Sequence, residues 1–171
     1  ANDEKLLHTT GTTLRVLDVA TPATPLLDIQ MESMIRAAVV DENSEFCLVG
    51  KRNGTVTLLN IKSGKVIHQC EKHKDTVNSV AISQKAGRFV SACERGTTKL
   101  FDLKTGSLIH AVNQDEEVNH VQFSPDGKKY IAASDDNTML VLDSETGQPV
   151  SKPIRCSSNT QTANFNHASS K

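Results

Sequence analysis

The chain has 171 residues, of which 37% are hydrophobic and 23% charged, and its formal net charge at pH 7 is −1. This near-neutral balance excludes a whole-molecule field that would attract nucleic acid or an anionic membrane, so any such binding must be local. No apolar stretch approaches the roughly 18 residues of a membrane span, and the polar, acidic N-terminus lacks a signal-peptide pattern. We therefore expect an intracellular protein, cytoplasmic or nuclear.

Four short apolar runs recur along the chain, and each closes on an acid or amide just before a turn. The closing residues are Asp18, Asn60, Asp102 and Asp143, at intervals of 42, 42 and 41 residues. A fixed period near 42 residues predicts one supersecondary unit stacked repeatedly, because a single small sheet cannot bury both of its faces. We expect residues 1–171 to form one domain of such units.

The predicted elements follow the same unit from one end of the chain to the other. The chain opens within a second strand at 4–10, and it finishes at 160–171 with a first strand and the start of its turn. The third unit shows four alternating runs rich in Val, Ile, Leu, Phe and Thr, each bounded by turn residues, which predicts four antiparallel strands and no helix. These four strands are predicted at 76–83, 88–94, 97–103 and 107–113.

Four-stranded units of this length resemble the blades of the WD-repeat family of β-propellers. The resemblance covers essentially the whole chain and implies an all-β fold of about four four-stranded blades. In this family a His, a Ser or Thr, a Trp and an Asp brace each blade, whereas here no unit holds the full set. We expect weaker bracing, with Leu or Phe packing in place of the indole. The family's closing Trp-Asp stands here as Leu17-Asp18, Leu59-Asn60, Phe101-Asp102 and Leu142-Asp143.

The number of units leaves two architectures open. Either the C-terminal strand pairs beside the N-terminal ones and closes a four-bladed ring, or the chain is a segment of a larger, usually seven-bladed, propeller. We favour the segment, because both ends fall within the same loop and would leave free sheet edges that invite association.

Little in the sequence points to catalysis or to a metal. His68 and His110 lie 42 residues apart, so the repeat explains them as equivalent positions in outer strands. Cys70 and His73 form a fragment of a zinc pattern, but no second pair follows at finger spacing. Motifs for a nucleophile, a phosphate loop or a dinucleotide are absent from the sequence. We therefore expect a noncatalytic protein without a cofactor.

The resemblance implies a binding face, since in this family the turns between strands two and three share one face with the loops between strands four and one. We interpret the basic side chains there as a sector that docks an acidic or phosphorylated peptide, with Arg52 and Arg95 as the best bidentate donors. Solvated loops without a partner are the alternative, because Glu71, Asp75 and Glu94 dilute the charge. The basic sector is Lys51, Arg52, Lys72, His73, Lys74 and Arg95, and acids on the fourth unit are Glu116, Glu117, Asp135 and Asp136.

A second candidate surface is the mouth of the central channel. In the family, positions just before and at the start of the inner strand often touch peptide ligands. The resemblance carries this role to two aligned columns. The columns are Met34, Thr76 and Glu117, then Arg36, Asn78 and Asn119.

These features favour a scaffold that holds partner proteins in a multiprotein assembly. One alternative is an RNA-processing or ribosome-assembly scaffold, although 4% aromatic residues argue against direct base stacking. Another is a propeller enzyme or small-ligand binder that uses the channel, which would need convergent acids or histidines in the inner strands. Neither membrane nor direct nucleic-acid binding is expected.

Overall fold

In the computed structural model, residues 5–166 are described, and they form fifteen β-strands and no helix. The predicted strands of the third unit agree with those observed to within about one residue at each end. Residue 4 and residues 167–171 of the two predicted terminal strands lie outside the described part. The strands are β1 (Lys5–Thr10), β2 (Thr13–Asp18), β3 (Pro25–Gln30), β4 (Ile35–Val40), β5 (Phe46–Lys51), β6 (Val56–Asn60), β7 (Val66–Gln69), β8 (Val77–Ser83), β9 (Arg88–Cys93), β10 (Thr97–Asp102), β11 (Leu108–Asn113), β12 (Val118–Phe123), β13 (Lys129–Ser134), β14 (Thr138–Asp143) and β15 (Ile154–Arg155).

The strands form four antiparallel sheets in which chain neighbours are also spatial neighbours. The first sheet is β1-β2-β3, and the second, third and fourth are β4-β5-β6-β7, β8-β9-β10-β11 and β12-β13-β14-β15. Each sheet is therefore a meander of consecutive strands joined by tight turns. The observed architecture confirms the predicted all-β fold of repeated blades, and the first sheet begins, as expected, with a second strand.

The predicted strand at the C-terminal end is not a strand in its described part, 160–166. This segment runs beside β12 and bonds to its side chains, with the Phe165 amide donating to Gln122 Oε1 at 2.9 Å. The Ala163 amide makes a longer contact, 3.5 Å, with His120 Nδ1. The segment therefore lies next to the inner strand β12, but its backbone forms no ladder of hydrogen bonds with any sheet.

The apolar core lies between neighbouring sheets in three clusters. Leu100 faces the cluster between the third and fourth sheets, while the next residue, Phe101, faces the cluster between the second and third. Both side chains are fully buried. Alternate residues of a strand point to opposite faces, so a strand with a sheet on each side needs apolar residues at consecutive positions. This explains why the apolar run recurs in every unit.

The acid that closes each run builds the following turn. Asp102 Oδ1 accepts hydrogen bonds from the amides of Thr105 at 2.9 Å and Lys104 at 3.1 Å. Asp143 Oδ1 does the same for the amides of Thr146 at 2.8 Å and Glu145 at 3.1 Å. These bonds favour the carboxylate, and the pKa of both acids lies below its usual value, led by the bond from the Thr amide. The recurring acid is therefore a turn residue.

The two recurring histidines contact the turn of the next sheet. Gly106 has a φ of 70°, and a Cβ placed on it would collide with the ring of His68. Gly147, with a φ of 75°, stands in the same relation to His110. The equivalent positions of these histidines thus have a structural reason, because each one packs against a glycine of the following sheet.

Candidate protein-docking site

Two kinds of connection lie together at one end of the sheets, which we call the loop face. It consists of the turns at 51–55, 94–97 and 135–138 and the loops at 71–76 and 113–117. The His73 amide donates to the Gly54 carbonyl at 2.9 Å, and the Gln114 amide donates to the Gly96 carbonyl at 3.0 Å. A Cβ on either glycine would collide with the carbonyl oxygen of its partner, and both glycines have positive φ, 84° and 74°. Glycine is therefore required at these two places where a turn meets a loop.

Each complete sheet carries a β-bulge at the start of its inner strand. The register shifts between Ile35 and Ala37 in the second sheet, and at equivalent points in the third and fourth. The residue left out of the ladder is Arg36, Asn78 or Asn119, which is one of the two predicted columns. A bulge redirects its side chain, and bulges are common beside functional sites. Binding by these residues stays a prediction.

The second predicted column is tied to the turns by a repeated backbone bond. The Arg52 amide donates to the Met34 carbonyl at 2.8 Å, and the Glu94 amide donates to the Thr76 carbonyl at 3.0 Å. The amide of Asp135 donates to the carbonyl of Glu117 at 2.9 Å. Each of the second, third and fourth sheets therefore places three equivalent residues close together, two at the start of its inner strand and one in the turn that follows the next strand. We call these nine residues the channel mouth: Met34, Arg36, Arg52, Thr76, Asn78, Glu94, Glu117, Asn119 and Asp135.

The basic side of the channel mouth contains a pocket of about 270 Å³ between the second and third sheets. Arg36 and Arg52 are exposed and make no ion pair within residues 5–166. Met34 is 43% exposed beside them. The pocket is lined by Met34, Arg36, Arg52, Thr76 and Glu94. The basic sector and the predicted channel column therefore meet in one pocket.

The acidic side of the channel mouth is held by amide side chains. Asn78 Nδ2 donates to Glu117 Oε1 at 2.5 Å, and Asn119 Nδ2 donates to Asp135 Oδ1 at 2.6 Å. Gln161 Nε2 also donates to Asp135 Oδ1, at 2.9 Å. Each carboxylate thus uses one oxygen within the protein, while its second oxygen accepts no hydrogen bond from the described residues.

Two members of the predicted basic sector are buried instead of lying on the surface. The Lys51 side chain is only 2% exposed, and its Nζ pairs with Glu32 Oε1 at 2.6 Å. His73 is 2% exposed, and its Nε2 lies 2.7 Å from Ser91 Oγ. Burial lowers the pKa of His73 to about 4, helped by the positive charge of Lys99. Neither side chain is available to a partner, because each is enclosed between its sheet and the preceding loop.

These buried groups also change the expected bracing. Lys99 Nζ bonds to Glu71 Oε1 at 2.5 Å and to the Lys72 carbonyl at 3.1 Å, so a lysine ties the third sheet to its loop. Phe101 stacks on Phe89 with ring centroids 5.0 Å apart. Aromatic packing therefore stands where the family has the tryptophan, as expected. The buried lysine pairs add a second contact between sheet and loop, which was not predicted from the sequence.

The remaining basic residues lie on the surface. Lys72 and Lys74 are exposed. Arg95 is exposed too, but its Nε pairs with Asp75 Oδ2 at 3.4 Å. A surface pair of this length contributes little stability, yet it partly satisfies the guanidinium. Arg52, with Arg36 beside it, is therefore a better candidate donor than Arg95.

Glu94 and Asp135 lie at the channel mouth but were not among the residues predicted to bind there. Both could have been found from the repeat, because they occupy the position of Arg52 in the next two units. Within residues 5–166 no group of three metal-ligating side chains comes together. The same part of the chain has no helix that could span a membrane.

Comparison with known proteins agrees with the fold and the repeats. The WD40 family, described as "WD domain, G-beta repeat", matches residues 64–102 and 106–143. Each matched segment starts near an outer strand and ends with the third strand of the next sheet, so the sequence repeat joins neighbouring sheets. These two segments are therefore WD repeats, and they support the predicted resemblance of the chain to the WD-repeat family.

Relatives and similar structures fall in several kinds of protein. Eukaryotic translation initiation factor 3 subunit I of Danio rerio is 30% identical over 94 residues, 55% of this chain and 29% of that protein. Apoptotic protease-activating factor 1 of the same species is 26% identical over 79% of this chain and 11% of its own length. U3 small nucleolar RNA-associated protein 21 of Saccharomyces cerevisiae is 22% identical over 72% of this chain and 13% of its own length. The chain thus matches less than a third of each of these relatives.

Two solved structures show the same fold at low sequence identity. The computationally designed Ika8 protein matches with a TM-score of 0.81 and 19% identity, over 94% of this chain and 49% of that one. A chain of the Mitotic Checkpoint Complex matches with a TM-score of 0.77 and 16% identity, over 88% of this chain and 47% of that one.

Proposed function

We propose that this chain is a noncatalytic docking platform that binds an anionic segment of a partner protein at the pocket of Arg36 and Arg52. The observation that carries the proposal is the placement of these two guanidinium groups on a rigid, glycine-dependent loop face. The anionic group is either a run of carboxylates or a phosphorylated side chain, which share the same recognition chemistry.

The electrostatics of the pocket support this choice of ligand. Arginine presents donors in a fixed fork that fits a carboxylate or a phosphate, and no ion pair among the described residues needs to be broken before a ligand binds. Met34 offers an adaptable apolar contact next to the charged groups. Nucleic acid is a poorer fit, because Glu94, Glu117 and Asp135 stand on the same mouth and would repel a phosphate backbone.

The relatives support a role inside an assembly. One of them is by name a subunit of an initiation factor, and one similar structure comes from a complex. We infer that this chain also acts as one component of an intracellular assembly, in the cytoplasm or the nucleus. We also propose that residues 1–171 are one segment of a larger propeller, since the chain covers only about half of the two similar structures.

The proposal is tested by fluorescence anisotropy with three labelled ten-residue peptides. The peptides share a flexible neutral sequence and carry, at one end, two glutamates, two phosphoserines or two glutamines. We expect the two anionic peptides to bind and the glutamine peptide not to bind. The comparison between glutamate and phosphoserine identifies the source of the anionic group.

Charge-reversed variants show whether the pocket is responsible. Arg36→Glu with Arg52→Glu should weaken binding of the anionic peptides at least about tenfold, because two charge-assisted contacts are lost. Lys62→Glu is the matched control, since Lys62 is exposed in a turn at the opposite end of the sheets. Equal loss in the control, or unchanged binding by the double variant, would contradict the proposal.

A further inference from the structure

The charge of the channel mouth is divided between its two sides. Arg36 and Arg52 belong to the second sheet, whereas Glu117 and Asp135 belong to the fourth. One position of the repeat thus carries opposite charge two sheets apart, as Arg52 in the second sheet and Asp135 in the fourth, while Arg36 and Glu117 add to the same charges from the two neighbouring positions. The third sheet stands between them with one charged residue at these positions, Glu94.

We propose that the channel mouth recognises a partner segment carrying both charges, with an anionic group over the second sheet and a lysine or arginine over the fourth. The inference rests on the proposed function, because the anionic group occupies the same arginine pocket. It adds a second subsite, formed by the carboxylates of Glu117 and Asp135 with Glu94 beside them.

The carboxylates of Glu117 and Asp135 are fixed in position by neighbouring side chains and can still accept bonds from a cation. Asn78 holds Glu117 and Asn119 holds Asp135, each through one carboxylate oxygen. Little side-chain freedom remains to be lost on binding, and the second oxygen of each group accepts no hydrogen bond within residues 5–166. An incoming ammonium or guanidinium can therefore bond to that oxygen without displacing either amide.

The two sides do not neutralise each other. Glu94 lines the pocket with Arg36 and Arg52, yet no ion pair within 4.0 Å joins it to either one among the described residues. The uncharged Thr76 and Asn78 stand in the third sheet between the arginines and the fourth-sheet carboxylates. Both charges therefore remain open to countercharges from a ligand.

The spacing of the sheets sets the spacing of charges in the ligand. Cα atoms of adjacent inner strands approach within 8 Å for β4 and β8 and for β8 and β12. At these points of closest approach the inner strands of the second and fourth sheets are at most about 16 Å apart, which an extended segment spans in about five residues at about 3.3 Å per residue. We therefore expect charges about five residues apart in a ligand to reach the two subsites together better than charges on neighbouring residues do.

The test adds three probes to the anisotropy assay. The first carries two glutamates and two lysines with five neutral residues between the pairs, the second has glutamines in place of the lysines, and the third has the four charges adjacent. On the unaltered protein we expect the spaced probe to bind about fivefold more tightly than either of the others, the gain typical of one or two exposed ion pairs.

Isosteric variants isolate the acidic subsite. Glu117→Gln with Asp135→Asn removes both charges but keeps the oxygens that accept from Asn78 and Asn119. In this double variant the spaced probe should fall to the affinity of the lysine-free probe, which itself should not weaken. Glu94→Gln serves as a second, single variant and should give a smaller loss. Glu145→Gln is the control, because Glu145 is exposed in a turn at the opposite end of β14.

The outcomes separate this inference from the proposed function. If the lysines add nothing, or if the isosteric variants leave the spaced probe unchanged, the acidic subsite is wrong although binding through Arg36 and Arg52 still stands. If charge reversal of Arg36 and Arg52 leaves every probe unaffected, the proposed function is wrong as well.

Discussion

The third and fourth sheets have the same strand order, but different side chains hold their loop-face ends. In the third sheet, the His73 ring bonds to Ser91 and Lys99 pairs with Glu71. At the equivalent place before the fourth sheet stands Gln114, whose Nε2 donates to Thr138 Oγ1 at 3.0 Å. One sheet thus relies on buried ionisable groups and the other on a neutral amide.

The backbone is nevertheless the same in both sheets. Gly96 and Asn137 occupy equivalent turn positions with φ of 74° and 63°. Their carbonyls accept from the amides of Gln114 at 3.0 Å and Cys156 at 2.8 Å. The loop-face shape is therefore fixed by turn conformation and backbone bonds, so that side-chain charge can differ between sheets without moving the loops. This separation allows one mouth to carry arginines on one side and carboxylates on the other.

The largest loss of stability is expected at the apolar position that the third and fourth sheets share, which is Phe101 in the third sheet and Leu142 in the fourth. Phe101→Ala should lower the free energy of unfolding by about 4 kcal/mol and Leu142→Ala by about 3 kcal/mol, because both side chains are fully buried and each variant leaves a cavity. Urea unfolding followed by circular dichroism measures both. Val66→Ala is the control, since Val66 is 56% exposed, and it should change stability by less than about 0.5 kcal/mol. Equal losses at all three sites would contradict the assigned core.

A smaller effect should appear in the pH dependence of the free energy of unfolding, because the third sheet has a buried histidine where the fourth has a glutamine. The pKa of His73 falls from 6.5 to about 4 because the ring is buried, so the unfolded chain binds its proton first as the pH drops. The stability due to the neutral ring is complete above pH 6.5 and is lost as the pH falls towards 4. Between pH 7 and 4, His73→Gln should lose about 3 kcal/mol less of its free energy of unfolding than the unaltered protein loses.

The matched control for this experiment is His68→Gln. His68 is only half-buried and lies on an outer strand, so this variant tests whether the change in slope belongs to the buried His73 or follows the loss of any histidine. Some slope should remain in His73→Gln, because burial also lowers the pKa of His120. An unchanged slope in His73→Gln would show that the His73 ring is accessible to protons in the folded state.

The sequence predicted the parts of the molecule that local pattern and repetition determine. The runs through Leu100-Phe101 and Leu59-Asn60 gave the strands and their two-sided burial, and the columns of Arg36 and Met34 gave equivalent positions at the mouth. The burial of Lys51 and His73 could not be predicted, because it depends on a loop from the preceding sheet folding over each side chain. Charge alone does not distinguish an exposed lysine from one enclosed with a glutamate.

The smallest effect concerns the acids that close the third strands. Asp102→Ala and Asp143→Ala should each cost about 1 kcal/mol, since each removes the acceptor of two amides and a threonine hydroxyl in an exposed turn. Asp102 also pairs with Arg88 at 2.8 Å, whereas Asp143 makes no ion pair among the described residues. Asp102→Ala should therefore cost a few tenths of a kcal/mol more. A double-mutant cycle with Arg88→Ala checks this difference, because the excess must vanish when Arg88 is absent.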